Sequence, residues 1–209
     1  MSSFSRSSYK VFTRSIADWH LQFADKSDPW NCFCAEPDEL DAWSKLLYRK
    51  NQIDCSQWHT EDEIRRDDIP DKAIVHMKRK IDKLNQERTD LVEKLEDSLA
   101  IRFSDCKPKA DARVNTETPG WALDRLSILA LKIWHVDEQS KRDDVDPAVR
   151  IRHGQKLEVL QRQLDDLCVS LDQLLEEIHG GSCRFTLYRQ MKLYNDPATN
   201  PALYKNREP

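Results

Sequence analysis

Seven apolar residues, Leu157, Leu160, Leu164, Leu167, Leu171, Leu174 and Ile178, recur at alternating spacings of three and four. That period is helical, and sustained over so many turns it forms a regular a/d seam that has to be covered. The cover can come from the same chain or from a second copy, so a homodimer through residues 157–178 is one expectation. Asp146-Pro147 supplies a cap and a proline at the first helical position, and Gly180-Gly181 supplies the stop. The rest of the composition agrees with long helices. Glycine occurs 4 times in 209 residues, while charged residues make up 33% of the chain.

Taken in order, the chain starts with a Ser-rich stretch, residues 1–7, expected to be frayed. A first helix is expected over Ser8–Asp25, with Val11, Ile16, Trp19 and Phe23 at rough helical spacing. A second begins near Asp38 and turns Leu40, Trp43, Leu47 and Ile53 inward. It runs to about Arg66 or restarts around Cys55. A third spans about Asp71–Phe103, with Ile74, Met77, Ile81, Leu84, Leu91 and Leu95 on one face. After a polar connector, a fourth helix covers about 119–140, with Thr118 as N-cap and Pro119 at its first position. This central helix is apolar almost all round and is expected to be the most buried. The fold class that follows is all-α: an up-and-down bundle of four to five helices over residues 8–179. An irregular C-terminal tail, 180–209, docks on it.

Charge and cysteine usage narrow the function classes. The balance of 33 basic and 37 acidic residues leaves a net charge of −4 and no basic block, against nucleic acid as partner. No run approaches the roughly eighteen apolar residues of a membrane span. No apolar signal segment opens the chain, so a cytoplasmic location is expected. The cysteines at 32, 34, 55, 106, 168 and 183 have no regular spacing and read as free thiols. Cys32-x-Cys34 finds no second pair to complete a metal site, so no metal ligand is assigned and no cofactor is implied.

Charges on an otherwise apolar helix are the strongest pointer to function, because buried charges have to be paired or used. At about 100° per residue, Asp124 and His135 fall within about 20° of each other, with Arg125 and Lys132 beside them. Arg88 sits at an apolar seam position of the third helix, either to pair with a buried carboxylate such as Asp124 or to receive an anion. Asn85 borders that seam. Thr116 and Thr118 stand where a helix start offers an anion site, although Glu117 opposes it. His59 shares a face with Asp62, Glu63 and Arg66. In the tail, Tyr188 and Arg189 belong to a clamp or a lid.

Four blocks carry a resemblance: Gln57-Trp-His-Thr-Glu-Asp62, Lys78 through Asp90, Asn115-Thr-Glu-Thr-Pro-Gly120 with Asp124 through Leu129, and Tyr188 through Pro201. Together they resemble an uncharacterised bacterial family, domain of unknown function 4254 (DUF4254). The resemblance covers most of residues 38–204 and implies a setting in glycan or cell-envelope sugar metabolism, without a reaction or catalytic residues. The function expected is therefore binding, and processing, of an anionic small molecule such as a sugar phosphate or nucleotide sugar. Arg88, Arg125 and Lys132 would meet the charge, Asn85 would orient a hydroxyl, and His135 or His59, with Asp124, would move protons. Two alternatives compete. One is a non-enzymatic helical partner of a glycosyltransferase. The other is a metal-dependent all-α phosphohydrolase built on Glu61, Asp62, Glu63 and Asp90 or Glu93.

Overall fold

The computed structural model describes residues 3–23, 33–191 and 198–205. Five long helices form the bundle: α1 (Phe4–Phe23), α2 (Ala42–Glu63), α3 (Asp71–Arg102), α4 (Pro119–Lys141) and α5 (Pro147–His179). A short α6 (Pro201–Tyr204) follows. Two two-residue strands, β1 (Arg113–Val114) and β2 (Cys183–Arg184), pair in parallel and tie the α3–α4 connector to the chain leaving α5. The fold is all-α, as the periodicity requires.

The seam of α5 is covered in cis. Leu164, Leu171, Leu174 and Ile178 are buried within the chain, and Leu157, Leu160 and Leu167 are half-buried. Leu160, Leu164, Leu167 and Leu171 face a core made by Phe12, Ile16 and Trp19 of α1, Leu47 and Tyr48 of α2, Leu95 and Leu99 of α3, and Leu123 and Leu126 of α4. Leu174 and Ile178 pack in a smaller cluster with Cys183, Phe103 and Phe185. α1 begins at Phe4, so residues 4–7 are helical instead of frayed. The reason is Ser5, fully buried, whose N–H and hydroxyl both donate to Asp172 of α5 at 3.0 and 2.7 Å. α2 does not restart at Cys55. Asp41 caps it by accepting from Ser44 N at 2.7 Å. On α3, burial begins only at Met77, so Ile74 is more exposed than its spacing suggests.

α4 starts differently from the expectation. Thr118 occupies the N-cap position but makes no capping bond to its own helix. Its hydroxyl donates to the Glu96 carboxylate of α3, which also accepts from Gly120 N at 2.6 Å. A carboxylate from a neighbouring helix thus satisfies the orphan N–H groups and meets the positive end of the helix dipole. Burial pushes the Glu96 carboxyl above its usual range, against the pull of Thr118 and the Gly120 and Trp121 N–H groups. Gly120 is what lets Glu96 come so close. A Cβ there would lie 2.8 Å from Glu96 Cγ and overlap the carboxylate itself.

The tail docks where it is described. Arg189 pairs with Asp97 at 2.7 Å and Glu93 at 3.5 Å, and Gln190 N donates to Glu93 at 3.1 Å. Gly181 adopts a φ of 75° while its carbonyl accepts from Lys109 N at 2.8 Å. The Tyr194-Asn195-Asp196-Pro197 part of the expected lid lies outside the described residues.

The shared cap makes a coupled prediction. Glu96→Ala and Gly120→Ala should each lower stability by about 1–3 kcal/mol, since each breaks the same hydrogen bonds. Their costs should not add, because the added methyl has nothing to displace once Glu96 is gone. Urea denaturation of both single variants and the double variant measures this, and additive costs would rule out the shared cap.

Candidate functional site

The most heavily used polar residues lie on α2, where Lys50 through Ser56 form an unbroken buried run. Lys50 and Asp54 stand one turn apart, and the Lys50 ammonium donates to Asp54 Oδ2 at 2.5 Å. It also lies 2.8 Å from Asp124 Oδ1 of α4. From α3, Arg88 Nε donates to Asp124 Oδ1 at 2.8 Å, and Nη2 donates to Oδ2. Ser127, one turn along α4 from Asp124, donates to Asp54 Oδ2 at 2.5 Å and accepts from Asn51 at 2.9 Å. Two cations and two carboxylates therefore join three helices in a formally neutral cluster. Arg88 takes the role of partner to Asp124.

The two carboxylates are not equivalent. Burial raises Asp124, but Lys50 and Arg88 outweigh it and hold its carboxyl below the usual range. Burial dominates at Asp54 and raises its carboxyl, with Lys50 and Arg88 only partly offsetting this. Asp54 Oδ1 accepts no hydrogen bond, and Arg88 Nε stands 3.5 Å from it. Neighbouring carboxyls pushed apart in this way can divide into a proton donor and a fixed anion.

Two cavities meet at this cluster. The smaller, about 230 Å³, is lined by Asp54 and Arg88 with Gln57, Trp58, Glu61 and Asp62 of α2. The larger, about 620 Å³, lies between α3, α4 and α5 and is lined by Arg88, Asp124, Arg125, Lys132, Gln163 and Asp166 among others. Arg88 and Ile128 belong to both walls. Arg125 is paired with Glu117 at 3.0 Å, and Lys132 makes no ion pair among the described residues.

The structure brings four of the expected residues, Arg88, Asp124, Arg125 and Lys132, to one cavity and disperses the others. His135 shares a face with Asp124 but lies eleven positions further on, about 16 Å along the helix axis. Angle alone had grouped them. Thr116, Thr118 and Tyr188 line a separate crevice of about 40 Å³ beside the start of α4. The anion position at that helix start is already taken by Glu96. Asn85 Oδ1 accepts from Gln57 at 3.1 Å, and Arg189 is engaged with α3. Among the described residues, Glu61, Asp62, Glu63, Asp90 and Glu93 do not gather into a metal-ligand group.

His59 and His135 instead meet a third histidine, His20 of α1, which the sequence did not single out. Their ring centroids form a near-equilateral triangle with sides of 5.1, 5.1 and 5.2 Å. Trp19 stacks on His59 at 4.2 Å, Trp58 on His135 at 5.1 Å, and Trp134 on His20 at 5.2 Å. Burial and the two neighbouring imidazoles lower His59 to about 3. Burial and His20 also lower His135, against the opposing pull of Glu138 and Asp62.

A family model described as "Protein of unknown function (DUF4254)" matches residues 44–187. The chain belongs to this family. The DUF4254 match takes in Lys50, Asp54, Arg88 and Asp124 with His59 and His135, and leaves His20 outside it. No curated protein and no solved structure matches the chain. No helix is long and apolar enough to cross a membrane among the described residues.

Two measurements follow from this chemistry. Lys50→Met leaves two buried carboxylates to Arg88 alone and should cost about 3–5 kcal/mol. The exposed Lys78→Met, which loses only a surface pair with Asp82, should cost about 1 kcal/mol or less. Comparable urea midpoints for the two would refute a structural role for the cluster. For pH, the unfolded chain takes up a proton at His59 below its usual 6.5, whereas the folded chain refuses it until about 3. Stability should therefore fall as pH drops through that window. His59→Phe, which keeps the ring, should flatten the slope in pH-dependent denaturation.

Proposed function

We propose that this protein binds an anionic sugar derivative, a sugar phosphate or nucleotide sugar, across the two cavities that meet at Arg88. The observation that carries the reading is the division of polar groups on either side of that residue. The smaller cavity offers an aromatic face (Trp58), an amide (Gln57) and carboxylates (Glu61, Asp62), the groups that stack on and hydrogen-bond to a hydroxylated ring. The larger offers Arg125 and Lys132 to a phosphoryl group. Arg88 reaches both while remaining anchored by Asp124. Proton transfer in this arrangement falls to Asp54, whose raised carboxyl borders the smaller cavity, and not to His135 or His59. The setting is glycan or cell-envelope sugar metabolism inside the cell.

Thermal stability in the presence of sugar phosphates and nucleotide sugars tests the reading. A ligand at about a hundred times its dissociation constant adds about 2.7 kcal/mol of stability. Lys132→Ala and Glu61→Gln are the informative variants, because neither belongs to the buried cluster and both line one cavity each. The expected outcome is a ligand shift in the parent that shrinks in both variants. Equal shifts in all three proteins, or none with any such compound, would sink the proposal.

A further inference from the structure

The three-histidine triangle lies outside both cavities and stands on separate observations. One helix supplies each ring: His20 from α1, His59 from α2 and His135 from α4. One ligand atom from each lies within 4.8 Å of the other two. The Nε2 atoms of all three are buried and accept or donate no hydrogen bond. Unpaired buried nitrogen is expensive, and here three occur together. The other ring nitrogens indicate which tautomer is present. His20 Nδ1 donates to the Ile16 carbonyl at 2.8 Å, and His135 Nδ1 donates to Glu138 Oε2 at 3.1 Å. Both rings then carry their lone pair on Nε2. A carboxylate or carbonyl behind a histidine, fixing its tautomer and raising its basicity, is the usual outer support of a metal ligand.

We propose that His20, His59 and His135 bind one divalent late first-row transition ion of the zinc type through three imidazole nitrogens, a small ligand from solution completing the coordination. Three neutral imidazoles without a carboxylate in the ligand set suit zinc, cobalt, nickel or copper, and not magnesium or calcium. Three protein ligands with a further position left over is also the arrangement of zinc sites that act on a bound ligand. The stacked Trp19, Trp58 and Trp134 hold the rings in place and keep the surroundings apolar. Trp58 also lines the smaller cavity, so one side chain borders both the histidine triangle and that cavity.

The test uses the full chain, stripped with a chelator and titrated with Zn²⁺ and Co²⁺ by calorimetry and by the visible absorption of Co²⁺. The expected result is one equivalent bound per chain, with no heat from Mg²⁺. His20→Ala, His59→Ala and His135→Ala should each lose stoichiometric binding, while His153→Ala, outside the triangle, should bind as the parent does. Glu138→Ala should retain the stoichiometry with affinity about 10–100-fold weaker. Circular dichroism checks each variant, and His59→Phe, which keeps the stack on Trp19 without a ligand atom, replaces any alanine variant that fails to fold. No binding by the parent, or binding that survives His59→Phe, overturns the proposal. Sugar-ligand shifts measured in chelator are independent of this result, so either reading can fail alone.

Discussion

A lysine ammonium with no exposed side-chain surface sets the terms for this bundle. Lys50 leaves water completely, and only the carboxylates of Asp54 and Asp124 make that tolerable. Because those two groups come from α2 and α4, and Arg88 of α3 closes the cluster, the position of three helices is tied to one charge balance. Apolar packing by itself would let these helices slide or rotate by a residue at modest cost. The cluster would not, since a shift of one position on any helix strands a charge. Such specificity is the best-attested return on burying ions, whose net contribution to stability is small.

The same economy recurs at the start of α4. A free helix N-terminus is a ready anion site, yet here Glu96 fills it and Gly120 is shaped to admit the carboxylate. Where the chain needs a helix held, it uses its own charge. Where polar groups remain available, around Lys132 and the α2 face with Trp58, open volume lies beside them. That contrast separates the cavities from the helix start as candidates for ligand binding.

Much of the architecture was legible because it depends on local period and punctuation. The α5 seam, its Asp146-Pro147 start and the α3 stripe all follow from spacing that a reader can count. The polar run of α2 was not legible. Lys50, Asn51, Gln52 and Asp54 look like a solvated face, and nothing local says that groups from three other helices will surround them. Arg88 could be recognised by the seam position it interrupts, and its partner Asp124 by its place on an apolar helix. The His135–Asp124 grouping failed because a helical wheel keeps angle and discards rise. His20 could not be found at all from one strand of sequence, since its meaning depends on two rings that lie 39 and 115 positions away.

The bond between Ser5 and Asp172 joins residues 167 positions apart. Helices form within about a microsecond, so α1 can wind early and pack on α2, where Trp19 stacks on His59, but its first turn has no partner for Ser5 until α5 exists. During synthesis at about 5–20 residues per second, that interval is on the order of 8–33 s. Throughout it the first turn of α1, with Ser5 fully buried in the finished bundle, lacks its partner on α5. The first turn made is therefore among the last to be fastened, and the two ends of the helical bundle close on each other only once the last long helix is in place.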